Sequence, residues 1–193
     1  MTKSSDNELH IRAEAYRLTL ARASVDEAAQ TAQVAINMDI DPQHPLYRPL
    51  HTGIVIAYGR AFTEMKPLGT ISSKWSKFSD ADEQRIHDIL MKQRNQFVGH
   101  SDHIPNKVII YPKGVVMYGG EIAPRAQTEV LSNYINPARF NQILTLATDL
   151  RDRMAEHVSE ILEKLYGPEG INLKETLELI SEADISELKK LHR

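Results

Sequence analysis

Residues 136–167 read NPARFNQILTLATDLRDRMAEHVSEILEKLYG, and their apolar positions repeat at helical spacing. Phe140, Ile143, Leu144, Ala147, Leu150, Met154, Val158, Ile161 and Leu165 recur every three or four residues, which lays one continuous stripe along about seven turns. Asn136 followed by Pro137 marks its start, because Asn caps free amides and Pro is tolerated where the first N–H has no partner. Gly167-Pro168 ends it.

Working outward, the same period dominates the N-terminal half. Leu9, Ala13, Tyr16, Leu20 and Ala23 step along one helix face. Ser24-Val25-Asp26-Glu27 has the spacing of a capping box, so the chain either restarts a helix there through Ala28, Ala32 and Ala35 or runs straight through. The prolines at 42 and 45 break the pattern. A further helix carries Leu46 or Leu50, Ile54, Ala57, Ala61 and Met65, with Gly53 and Gly59 small enough for close approach by a neighbour. After a polar stretch from Pro67 to Lys77, Ser79 reads as an N-cap for a helix through Ile86, Ile89 and Leu90 toward Phe97. Then the period changes. Val108–Tyr111, the turn Pro112-Lys113-Gly114 and Val115–Tyr118 predict a β-hairpin over 107–118, a lid or dimerisation arm. The expected fold is all-α, an antiparallel bundle of four to five main helices over residues 1–166 with that small hairpin inserted. Residues 167–193 form an acidic helical tail whose leucines and isoleucines suit docking on a bundle or a partner.

Composition narrows the function classes. The 193 residues include no Cys, which excludes disulfides, thiolate nucleophiles and cysteine-ligated metals. The apolar runs are too short to cross a bilayer and the polar N-terminus lacks a secretory core, so the expectation is a cytoplasmic protein with no membrane partner. Net charge is −3, so any nucleic-acid contact has to be local.

Phosphate loops, dinucleotide fingerprints, nucleophile elbows and zinc helices are absent from the sequence. Ser186-Glu187-Leu188-Lys189 matches S-x-x-K formally but sits in the amphipathic tail. His87, His100 and His103 with Asp102 invite a metal reading, yet no further ligand stands at a diagnostic spacing, and the expectation is no metal and no cofactor. The segment that stands out is Arg94-Asn95-Gln96-Phe97-Val98-Gly99-His100-Ser101-Asp102. Imidazole moves protons near neutral pH, and guanidinium grips phosphate with forked, charge-assisted hydrogen bonds. On RNA the adjacent 2′-hydroxyl is a built-in nucleophile, so the pair suits phosphodiester cleavage without metal.

The segment R-N-Q-F-V-G-H resembles the R-x(4–6)-H motif, in its form R-N-x-x-x-x-H, of the HEPN superfamily (higher eukaryotes and prokaryotes nucleotide-binding domains). That resemblance implies an α-helical bundle and a metal-independent endoribonuclease of a toxin or phage-defence system. Arg94 and His100 would be catalytic, with Asn95 beside them. It also implies a homodimer in which two motifs meet in a composite cleft, RNA such as tRNA as substrate, and a possible antitoxin or partner protein.

A second match, Arg151 to His157, has the same spacing. Six helical residues turn about 600° and leave the two ends about 9 Å apart along the axis. Arg151 and His157 lie inside the most regular helix, whereas Gly99 offers a break that lets His100 turn back. Ser101, Asp102 and His103 are the supporting residues, the first two placed to orient the imidazole. Lys74, Lys77, Lys92 and Lys107 are candidates for an RNA path, with Trp75 or Tyr111 stacking on a base. The alternative is a non-catalytic HEPN-like module that binds a nucleotide, RNA or a protein.

Overall fold

A computed structural model describes residues 3–99, 106–116, 120–122, 124, 126–132, 135–167 and 180–191. Helix dominates: α1 (Lys3–Asn37), α2 (Tyr47–Arg60), α3 (Ala81–Gly99), α4 (Phe140–Tyr166) and α5 (Glu182–Leu191), with one antiparallel strand pair, β1 (Asn106–Tyr111) and β2 (Gln127–Ser132).

The long α4 follows its sequence pattern closely. Asn136 accepts a hydrogen bond from the Ala138 amide at 3.0 Å, a short 3₁₀ turn at Pro137–Arg139 leads in, and Phe140, Ile143, Leu146, Ala147, Leu150, Met154, Val158 and Ile161 are buried. Gly167 closes the helix at φ +83°, a conformation that suits Gly, with its amide on the Glu163 carbonyl.

Of the two alternatives at Ser24, the structure takes the uninterrupted helix. Ser24 and Val25 are buried in mid-helix, and Glu27, instead of closing a capping box, reaches Arg60 of α2 at 3.2 Å. The central seam of α1 is Leu18, Ala21, Val25, Ala28, Ala32 and Ala35, which alternate steps of three and four like a coiled-coil seam. The expected stripe is therefore corrected: Leu9, Ala13 and Tyr16 do turn inward, but Leu20 is 42% exposed and Ala23 is exposed. The reason is that α1 serves two cores. Its centre packs with α2 and α4, while Leu9 and Ala13 join Leu68 and Ile180 in a separate cluster. Arg151 reaching Asp26 and His157 approaching Glu14 show α4 running opposite to α1.

In α2, Ile54, Ala57 and Ala61 are buried as the spacing predicts, but the helix stops at Arg60, and Met65 belongs to a turn that bridges to Gly69. The cap of α3 is Asp80 rather than Ser79: its Oδ1 accepts from the amides of Asp82 and Glu83 at 2.8 and 2.9 Å. The hairpin is also corrected. Strand β1 pairs with β2, Asn106 opposite Ser132 and Tyr111 opposite Gln127, and an isolated bridge joins Val116 to Ile122 in the same register. The chain therefore reverses between Val116 and Ile122, not at Pro112–Gly114, where a local turn is stepped over without ending the ribbon.

The helix of the C-terminal tail docks on its own chain. Ser181 and Asp184 form a capping box at its start, and Arg12 of α1 grips both Asp184 oxygens at 3.1 and 3.4 Å. Ser186 of the S-x-x-K match merely bonds back to the Glu182 carbonyl.

Candidate functional site

Arg94 lies on α3 where that helix crosses the end of α2. Its aliphatic stem runs over Gly59: a Cβ on that glycine would stand 2.4 Å from Arg94 Cγ and 2.9 Å from its Cβ. No side chain fits there, so glycine is what allows the two helices to approach. Beyond the stem, Nη2 donates to Thr63 Oγ1 at 2.8 Å and Nη1 donates to Asn95 Oδ1 at 2.9 Å. Thr63 is itself fixed, donating to the Gly59 carbonyl at 3.0 Å.

The guanidinium is thus aimed by two neutral oxygens, and among the described residues it has no carboxylate partner. A cation held only by neutral oxygens retains N–H donors suited to an anionic ligand. Thr63 also lines a groove of about 390 Å³ with Leu20, Ser24, Arg60 and Met65. Helix α3 ends at Gly99. His100, Ser101, Asp102 and His103 lie outside the described residues.

The rival pair is engaged elsewhere. Arg151 contacts Asp152 at 2.8 Å and Asp26 at 3.1 Å, and these carboxylates push its pKa further up. His157 faces Lys74 Nζ and Glu160, each at 3.1 Å. Arg151 is a structural cation tying α4 to α1.

Lys74, Lys77 and Lys92 do not converge on Arg94. Lys74 sits beside His157 and over the Trp75 ring, against α4. Lys77 precedes α3, roughly 20 Å along the axis from Arg94. Lys92 is on α3 but about 160° around it from Arg94. Lys107 stands in β1, and its side chain lies outside the described ones. Trp75 is 5% exposed, so the expectation that it stacks on a base is overturned: its ring is part of the core.

His87 is walled in by aromatic rings of Tyr58, Phe62 and Phe78, and its Nδ1 is 2.9 Å from the Tyr58 hydroxyl. Burial lowers its pKa, so it serves the core as a neutral ring. Among the described residues no group of three or more potential ligands is placed to hold a metal. No described helix is long and apolar enough to cross a membrane.

Sequence reasoning missed His51. It is fully buried on α2, accepts the Ile135 amide on Nε2 at 3.0 Å and lies 3.2 Å from Gln93 Oε1. Tyr47 donates to the Ile135 carbonyl, so both backbone groups of the residue before the Asn136 cap are strapped to α2. Gln93, which directly precedes Arg94 on α3, lies beside this strap. Thr63 was missed too, because only the helix crossing brings it to Arg94. The one available signal was the small-residue pattern of Gly53, Ala57 and Gly59. The chain matches no family model, no curated protein and no solved structure.

Proposed function

We propose that this chain is a metal-independent endoribonuclease of the HEPN type, with Arg94 and His100 as its catalytic pair. The observation that carries this reading is the contrast between the two candidate arginines. Arg151 is neutralised by two carboxylates, whereas Arg94 is oriented by Thr63 and Asn95 and meets no carboxylate among the described residues. In the reaction the 2′-oxygen bonds to phosphorus as the P–O5′ bond breaks, leaving a 2′,3′-cyclic phosphate. The 2′-hydroxyl loses its proton and the departing 5′-oxygen gains one. His100 performs one of these transfers and solvent the other, while Arg94 holds the phosphate oxygens as charge develops. Asn95 orients Arg94, and a second copy of the chain completes the cleft.

The test is incubation of the purified protein with tRNA and a mixed-sequence RNA in the presence of EDTA, with analysis of the 3′ ends. Cyclic-phosphate products are expected, lowered roughly a hundredfold or more in His100→Ala and in Arg94→Ala, and retained in His157→Ala. Cleavage that EDTA stops, or that folded His100→Ala retains, refutes the mechanism. A folded wild type that cuts nothing favours the non-catalytic binding module, a reading supported by the scatter of Lys74, Lys77 and Lys92 away from Arg94.

A further inference from the structure

An amine, an imidazole and a carboxylate stand in one row where the Ser73–Ser76 turn meets α4. Lys74 Nζ lies 3.1 Å from His157 Nε2, and His157 Nδ1 lies 3.1 Å from Glu160 Oε2. An ammonium group only donates, so Nε2 is the accepting nitrogen and Nδ1 carries the hydrogen that Glu160 receives. In this arrangement the imidazole is neutral and the carboxylate sets its tautomer. The buried Trp75 ring backs both partners, its centre 5.2 Å from Lys74 Nζ and 5.6 Å from that of the imidazole. Arg153 also stands over that ring but is paired with Asp149 at 3.5 Å.

Lysines more often face a carboxylate, as Lys66 faces Glu64 at 4.0 Å, and such a partner holds the ammonium form. Among the described residues Lys74 has no carboxylate partner, and its amine meets a base instead. Glu14 lies 3.6 Å from the same His157 Nε2, so a proton received by this ring sits between two carboxylates. Lys74 is exposed, which leaves its amine open to a reagent from solvent. A nucleophile within hydrogen-bond reach of a base, with that base oriented by a third group, is how proteins activate weak nucleophiles.

We propose that Lys74 is a site of N-acylation, with His157 as the base, Glu160 orienting it, and an activated acyl donor, an acyl phosphate or acyl thioester, as co-reactant. The ammonium gives one proton to water, and the amine lone pair bonds to the acyl carbon. As that bond forms the nitrogen becomes cationic and acidic, and His157 Nε2 takes its proton and passes it to solvent. The acyl–oxygen or acyl–sulfur bond breaks with its electron pair, releasing phosphate or thiolate and leaving a neutral amide on Lys74. This site shares no residue with Arg94 and does not rest on the ribonuclease reading.

Lys77, three residues on and also exposed, is the internal comparison. The full-length protein would be incubated with acetyl phosphate and, separately, with acetyl coenzyme A, and initial acetylation rates at both lysines read by peptide mass spectrometry. Lys74 should react roughly tenfold or more faster than Lys77, the low end of what a positioned base supplies; the donor that gives this ratio identifies the leaving-group class. His157→Gln should bring the ratio close to one. In wild type the ratio should also fall as acid protonates the imidazole, which then accepts nothing, while the ammonium equilibrium of the two lysines cancels; in His157→Gln it should stay flat. No acetylation at Lys74, a wild-type ratio near one, or a ratio that acid does not move overturns the proposal. So does a ratio that His157→Gln keeps with an unchanged far-UV circular dichroism spectrum.

Discussion

Gly59→Ala puts the crossing of α2 and α3 to the test. The new methyl would meet Arg94 Cγ at 2.4 Å and Cβ at 2.9 Å, both below any separation that carbon atoms tolerate. Overpacking of this kind costs about 1–3 kcal/mol. If the arginine stem swings aside it gives up its bond to Thr63, worth about 1 kcal/mol. Against this, Ala in place of helical Gly stabilises by about 0.5–1 kcal/mol. The net expectation is a loss of about 1–2 kcal/mol, read by urea unfolding at pH 7. In an Arg94→Ala background the Cγ contact is gone and only the milder 2.9 Å contact with Cβ remains, so the same substitution should cost much less. The double-mutant cycle should therefore show a coupling of about 1–2 kcal/mol. Equal costs in both backgrounds would refute the packing argument and, with it, the view that Gly59 sets the position of the guanidinium. On the ribonuclease reading, Gly59→Ala should also lose activity, since it displaces the phosphate-holding group.

Two further outcomes follow from the packing. His51 is fully buried with its pKa lowered to about 4, chiefly by desolvation, so the unfolded chain binds a proton that the folded chain refuses. Stability should be complete above the unfolded value of about 6.5 and fall as pH drops toward 4, by up to about 3 kcal/mol; denaturant unfolding at pH 7 and pH 4.5 reads this, and a pH-independent result, or an imidazole that titrates near 6.5 by NMR, contradicts it. Asp184→Ala removes both the cap of α5 and the acceptor for Arg12, so amide exchange across Glu182–Leu191 should speed up while α4 keeps its protection; equal protection in wild type and variant would show that α5 is held by other contacts.

How far the fold could be read depended on how many neighbours each element has. Helix α4 was legible nearly residue by residue because one amphipathic stripe meets one core. In α1 the periodicity was equally visible, but its phase was not: two clusters pull on different faces, so the stripe that begins at Leu9 does not continue through Leu20. The ribbon shows the opposite failure. Pro112-Lys113-Gly114 is a strong local turn signal, yet cross-strand pairing runs past it to Val116 opposite Ile122.

Sequence by itself determined that the chain is mainly helical, that α4 spans its observed length, that thiol chemistry is absent, and that two arginine–histidine pairs share one spacing. Only the tertiary structure shows how differently the two arginines are partnered. Spacing along a helix places a side chain on a face but cannot say what stands opposite. Asp26 lies 125 residues from Arg151 and Thr63 lies 31 residues from Arg94, and among the described residues those partners give one guanidinium a carboxylate and the other a neutral oxygen.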